Sequence, residues 1–306
     1  MSYFKRHIKV IIISLCLILT VQGCSTQGPV KESANNDKEK NVFMYDSTKP
    51  FNEKEISVKD EEGVKVHEIS YDSYDTEINS GKINAYLVVP EGDGPFPAVL
   101  YVHWLGNVNS NKKEFLNDAI EMAKKGAVGL LIDGYFPWMN TPNGTDKDRA
   151  SIIYQVIEVR RAVDYLTNLP YVDSKNLAYV GHDYGAMYGA IMSGIDKRIG
   201  SYDLITGMGN FADWFLTYWV KNSNDEYLKS LSDLDPIMYI GKAAPSKLFF
   251  QFATNDKFIT KSVADEFYQA ASDPKEEKFY DGGHRMNTDE AKADRIKWLS
   301  DCLGIK

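Results

Sequence analysis

Cysteine is scarce in this chain: there are three in 306 residues, and two of them, Cys16 and Cys24, fall within the first 24 positions. Only Cys302 remains for the body of the chain, which excludes an intramolecular disulfide framework. Basic runs are also missing. With 35 Lys and Arg against 43 Asp and Glu, the net charge is -8, and a chain without clustered cations is not built to hold nucleic-acid phosphates. There is a single long hydrophobic run, residues 10–21, and it is too short to favour a membrane-spanning helix. No internal repeat, metal-ligand cluster or phosphate-cradling glycine loop stands out, so neither a metal nor a cofactor is expected. The remainder, 43% hydrophobic and 25% charged, has the balance of a globular protein with a sizeable core.

The chain opens with a leader. Lys5, Arg6 and Lys9 precede the apolar run, and Gln22-Gly23 follows it, the pattern of a secretory signal peptide over residues 1–23. Val21-Gln22-Gly23-Cys24 resembles the bacterial lipobox except for the bulky Gln22. The resemblance implies cleavage before Cys24, lipidation of its thiol, and an exported protein held by lipid on the outer face of the bacterial cell membrane. Residues 25–41 (STQGPVKESANNDKEKN) contain almost no apolar side chains, and such a stretch cannot bury a core. Residues 24–60 are therefore expected to be the lipidated cysteine and a flexible tether, and residues 61–306 a single catalytic domain.

From about Val64 short β-type runs appear, over residues 65–71, 82–89 and 97–103. Alternation follows, with helices expected over residues 111–125, 148–169 and 184–195, and strands over 127–133 and 177–180. Further strands fit residues 202–206, 247–253 and 277–280, and further helices 263–271 and 289–303. In the long helix Ile152, Ile153, Val156, Ile157, Val163 and Leu166 recur at helical spacing, so Arg160 and Arg161 are expected on its solvated side. Early strands followed by βα alternation predict an α/β, doubly wound, mostly parallel sheet with helices on both faces.

The chain is organised around residues 176–190, NLAYVGHDYGAMYGA. An apolar strand runs into Gly181-His182-Asp183-Tyr184-Gly185 and then into small helix-compatible residues, the context of a nucleophile elbow. The flanking glycines let strand and helix approach without Cβ clashes. The order of elements over residues 65–303, the segment VIEVRRAVDYLTNLPYVDSKNLAYVGHDYG and the later FFQFATNDKF and FYDGGHRM resemble the α/β-hydrolase fold. The nearest branch is that of dienelactone hydrolases and prolyl-oligopeptidase-like esterases. The resemblance implies a small-molecule substrate and a triad of Asp183, Asp256 and His284, in the chain order nucleophile, acid, histidine. It also implies an oxyanion hole from the amides of Trp104, in His103-Trp104-Leu105-Gly106, and Tyr184. Asp281 lies too close to His284 in the same turn to be the acid, and His67 and His182 need no catalytic role. Aromatic loop residues Tyr135, Trp138, Trp214, Tyr218 and Trp219 are candidates for the pocket wall. Only 72 residues separate Asp183 from Asp256, enough for a small lid at most.

Serine is the usual residue at the elbow, and this chain has aspartate there. A carboxylate needs no base to attack, but attack on an ester would leave an anhydride and expel a more basic alkoxide. An sp³ carbon, as in an epoxide or an alkyl halide, suits it better, and GHDYG is similar to the GHDWG elbow of epoxide hydrolases and haloalkane dehalogenases. Two departures stand against full transfer: Tyr184 lacks the indole that holds halide, and no large cap supplies epoxide-activating tyrosines. Three readings follow. Asp183 is a covalent nucleophile, or the base of a dienelactone-hydrolase-like carboxylesterase, or the relic of a degenerate binding protein. The leader carries its own test: the protein should fractionate with membranes and Cys24→Ala should release it, whereas unchanged fractionation of the alanine variant would rule out a lipid anchor at that residue.

Overall fold

Period-two alternation builds the sheet at the centre of the molecule. The computed structural model describes residues 42–75, 77, 81–105, 110–134, 144–218, 220 and 224–306; the leader, Cys24 and residues 25–41 lie outside them. Strand β4 (Phe96–Val102) sends Ala98, Leu100 and Val102 into one core and Val99 and Tyr101 into another, on the opposite face. β5 (Val128–Ile132) does the same with Leu130 and Leu131. Both strands are therefore buried on both faces, as the inner strands of a parallel sheet must be.

The first core is closed by helix α2 (Asp146–Asn168), through Ile152, Val156, Val159 and Val163, and by the small-residue helix α3 (Tyr184–Ile195). The second is closed by α1 (Leu116–Lys124), which follows a 3-10 turn (Lys112–Phe115), and by α8 (Asp289–Leu303). Thr145 caps α2 and Thr288 caps α8, each side chain accepting a first-turn amide.

The remaining strands are β1 (Lys54–Glu61), β2 (Val64–Asp72), β3 (Lys82–Val89), β6 (Val172–His182), β7 (Ile199–Ile205), β8 (Lys247–Ala253) and β9 (Lys275–Tyr280). Together they form one nine-stranded sheet in the order β1-β2-β3-β5-β4-β6-β7-β8-β9. β1, β2, β3 and β5 pair antiparallel, and β5 through β9 pair parallel. Three short helices, α4 (Phe211–Tyr218), α5 (Asp225–Leu231) and α6 (Ile237–Ile240), lie between β7 and β8, and α7 (Lys261–Ala270) precedes β9. From β4 the chain steps outward to β5, then crosses back over β4 to β6. The loops after β4 and β6 thus diverge and leave a crevice at the carboxyl ends of the strands.

Two expectations need correction. Ordered structure starts well before residue 61. β1 adds an edge strand over Lys54–Glu61, and Phe43 is fully buried in the first core. The reason is long-range: Arg160 and Arg161, expected on the solvated side, tie this N-terminal segment to α2. Arg161 is fully buried. Its Nε donates to the Asp72 carbonyl at 2.6 Å and its Nη2 to the Pro50 carbonyl at 2.9 Å, with the guanidinium 4.5 Å from the Phe51 ring centre. Arg160 Nη1 donates to the Phe43 carbonyl at 2.8 Å. A guanidinium offers five donors in a fixed fork, which suits it to gather carbonyls from several turns. Arg161→Ala would orphan those carbonyls and is expected to lower the unfolding free energy by roughly 2–4 kcal/mol, read as a shift in the urea midpoint.

Candidate active site

Strand β6 ends at His182 and α3 begins at Tyr184, so the whole reversal falls on Asp183, at φ 55 and ψ -114. Non-glycine residues seldom adopt a positive φ, and such a conformation persists only when its surroundings impose it. Here they do. A Cβ at Gly181 would overlap the Gly185 carbonyl, and one at Gly185 would overlap the Val102 carbonyl on β4. Asp183 N–H donates to the Ile205 carbonyl at 2.9 Å, and the Tyr179 hydroxyl donates to the Gly185 carbonyl at 2.6 Å. The turn thereby projects the Asp183 side chain into the crevice between the loops after β4 and β6.

The two carboxyl oxygens of Asp183 have different partners. Oδ2 accepts the Leu105 amide at 3.1 Å. Oδ1 lies 3.7 Å from His284 Nε2, longer than a hydrogen bond, and that ring nitrogen has no hydrogen-bond partner among the described residues. On the far side of the ring, Nδ1 meets Asp256 Oδ2 at 2.8 Å. Asp256 is itself oriented by the amides of Phe258 and Ile259, which donate to its Oδ1 at 2.8 and 3.0 Å. Burial pushes the Asp256 carboxyl up, but His284 and these amides outweigh it and hold its pKa below the usual range. For His284, burial disfavours the cation, yet the two flanking carboxylates, Asp183 and Asp256, lift it to about 9. At neutral pH the resting site is thus an imidazolium between two acids.

The amide facing Asp183 is Leu105, one residue beyond the expected donor. The Trp104 amide is taken by Glu114 Oε2 at 2.7 Å. His103 Nδ1 donates to the Trp104 carbonyl at 2.9 Å, which orients the peptide plane that carries the Leu105 N–H. Tyr184 sits at the first turn of α3, where amides have no intrahelical acceptor. The Trp104 ring is wall: it stacks on His182 at 5.1 Å and lies 6.0 Å from His284. Trp214 stacks on His284 at 5.8 Å and meets Tyr184 edge-on at 6.0 Å. Phe258, the last residue of FFQFATNDKF, was given no role from the sequence but presents its ring to His284 at 5.0 Å; its position two residues after the acid was the available clue. Tyr135, Trp138, Gly106, Trp219 and the side chain of Tyr218 lie outside the described residues.

No protein-family profile matches the chain, and neither does any curated protein sequence. Solved structures do. An acetyl xylan esterase from Paenibacillus sp. R4 is 18% identical over 90% of this chain and 96% of its own, with a TM-score of 0.66. Acetyl xylan esterase 1 from Thermoanaerobacterium sp. JW/SL YS485 is 15% identical over 88% and 94%, with a TM-score of 0.67. A cold-adapted esterase from an Arctic intertidal metagenomic library is 14% identical over 81% and 97%, with a TM-score of 0.58. The chain has the α/β-hydrolase fold.

The charge on His284 has a consequence for stability. Its folded pKa, about 9, exceeds its ordinary value of 6.5, so the stabilisation it contributes is complete below pH 6.5 and is lost as pH rises through 9. The loss is on the order of 3 kcal/mol. The drop in urea midpoint between pH 6 and pH 10 should therefore be larger for the parent than for His284→Gln; equal drops would mean that the imidazole titrates at its ordinary pH.

Proposed function

We propose that the protein is a hydrolase that uses Asp183 as a covalent nucleophile toward an electrophilic sp³ carbon of a small apolar substrate, an alkyl halide or an epoxide. The observation that carries this reading is the asymmetry of the Asp183 carboxylate. Oδ2 is held by the Leu105 amide, while Oδ1 is free of hydrogen bonds to His284 at 3.7 Å. An oxygen tethered in this way already sits where an oxyanion needs a donor, and the other oxygen keeps its lone pairs for attack.

In the first step Oδ1 attacks carbon and the carbon–halogen or carbon–oxygen bond breaks, forming an alkyl ester on Asp183. Halide leaves as the anion; the alkoxide of an opened epoxide takes a proton from water. Esterification cancels one of the two negative charges that hold the proton on His284, so the imidazolium becomes more acidic and releases it. Neutral His284, oriented by Asp256, then takes a proton from water as the oxygen attacks Cγ of Asp183. Negative charge develops on Oδ2, against the Leu105 amide. Collapse expels the product alkoxide, which takes the proton from His284, and Asp183, left as the carboxylic acid, gives its own proton to the imidazole, restoring the carboxylate and the imidazolium. The rings of Trp104, Trp214 and Phe258 around His284 favour an apolar substrate and exclude bulk water.

A second reading rests on the neighbouring folds, which are those of esterases: a dienelactone-hydrolase-like carboxylesterase in which Asp183 serves as base for water. The exported, lipid-anchored placement expected from the leader fits either reading. One measurement separates them. Turnover in ¹⁸O-water should leave label in the peptide containing Asp183, and His284→Ala should accumulate a covalent adduct there, seen as a mass increase. A substrate that is turned over with Asp183 unlabelled, and with no adduct in the variant, would make the carboxylate a base.

A further inference from the structure

We propose that Glu114 and His182 form a charged positioning couple that holds three separate loops in register: the one carrying the Leu105 amide, the elbow itself and the one carrying His284. The proposal deepens the reading above, and rests on it only for the roles given to Asp183 and His284.

Glu114 sits on the 3-10 turn ahead of α1, away from every sequence motif. Its two oxygens reach different loops: Oε2 accepts the Trp104 amide at 2.7 Å, and Oε1 lies 2.5 Å from His182 Nδ1. His182, fully buried at the end of β6, extends the chain of contacts. Its Nε2 lies 2.8 Å from the His284 carbonyl, which also accepts the Thr206 hydroxyl at 3.4 Å. From Leu105 to Glu114 to His182 to His284, each link is one or two bonds long.

The protons can be assigned from donor and acceptor chemistry. A carbonyl only accepts, so His182 Nε2 carries hydrogen. One further proton lies between Nδ1 and Oε1. Burial pushes the Glu114 carboxyl up, but His182, followed by the Trp104 amide, holds it below the usual range, which leaves that proton on the imidazole. In the proposed couple His182 has hydrogen on both ring nitrogens, and the flat Trp104 indole stacked on it at 5.1 Å and 7° offers its negative face to that cation. The stack in turn fixes Trp104 as the wall beside His284. Arg285 lies 5.7 Å from the same indole.

This arrangement sets the two distances on which the mechanism depends. The Trp104 N–H held by Glu114 and the Trp104 carbonyl held by His103 together aim the next amide at Asp183 Oδ2. The His284 carbonyl held by His182 sets how near the ring comes to Oδ1. A displacement of about 1 Å in such groups is enough to cost roughly 100-fold in rate.

The test uses the full mature chain, isotope-labelled, with no substrate. Two ring N–H resonances are expected for His182 at neutral pH, and a low-field amide resonance for Leu105 from its bond to a carboxylate. In Glu114→Gln the amide oxygen can still accept from Trp104 and the amide nitrogen can still donate to Nδ1, so Leu105 should stay at low field while His182 loses one ring N–H. In Glu114→Ala both links vanish. The Leu105 amide and the His284 ring resonances should both shift, although neither residue touches Glu114. Retention of both His182 N–H resonances in the glutamine variant, or a folded alanine variant in which Leu105 and His284 are unmoved, would overturn the proposal. Should the alanine variant fail to fold, the glutamine variant decides. Because no turnover is read, failure here is distinct from failure of the nucleophile reading, which the ¹⁸O label decides.

Discussion

The strained backbone at Asp183 is the constraint to which the rest of the site answers. Holding a non-glycine residue at φ 55 costs on the order of 1–3 kcal/mol, and the cost is met by packing that leaves no alternative. Gly181, Gly185 and the Val102 carbonyl are in such close approach that a single added methyl on either glycine would part strand from helix. That closeness brings the end of β4 against the start of α3. Through it, the loop after β4 presents the Leu105 amide to the Asp183 carboxylate. The place of Asp183 and that of the amide facing its carboxylate thus have one physical origin, the absence of two Cβ atoms.

Electrostatics then divides labour between two aspartates that flank one imidazole. Asp256 receives two amides on one oxygen and His284 on the other, so both oxygens are committed. Asp183 receives one amide on Oδ2 and keeps Oδ1 at 3.7 Å from the ring. Identical side chains therefore have different surroundings: the first is held on both oxygens and the second on one. The imidazolium between them neutralises only one of the two charges, and the covalent change at Asp183 proposed above would alter that balance directly. This gives a reason why the proton on His284 should move when it is needed.

Strands were legible wherever apolar residues alternate or run together, because burial on one or two faces writes itself into a period of two. The bounds expected for β3, α3, β8 and α8 coincide with those of the structure. Strand β1 was not legible. KEISVKDE alternates, but its side chains are largely exposed, and an edge strand is recruited by the backbone of its neighbour and not by the core. Arg160 and Arg161 were misread for a related reason. Helical spacing separates an apolar stripe from the rest, but it cannot tell that a segment more than a hundred residues upstream will cover the other side.

At the site the same division holds. The elbow pentapeptide, the acid after β8 and the histidine after β9 are local patterns tied to strand ends, so the resemblance to the α/β-hydrolase fold could name Asp183, Asp256 and His284 together as candidates. Which amide faces the carboxylate depends on the pitch of one loop, and it fell to Leu105 and not Trp104 because Glu114 takes the Trp104 N–H. Glu114 lies in no motif, and His182 and Phe258, although they fall within the elbow pentapeptide and FFQFATNDKF, have partners that no motif names; the contacts span 68 residues between Glu114 and His182 and 102 between His182 and His284. The sequence by itself determined the α/β alternation, the elbow and the residue types available for chemistry, since these follow from local periodicity and backbone sterics. Only the tertiary structure decided the distances between them, because hydrogen bonds and ring contacts between distant loops are set by how the sheet twists and crosses over, which no window of neighbouring residues encodes.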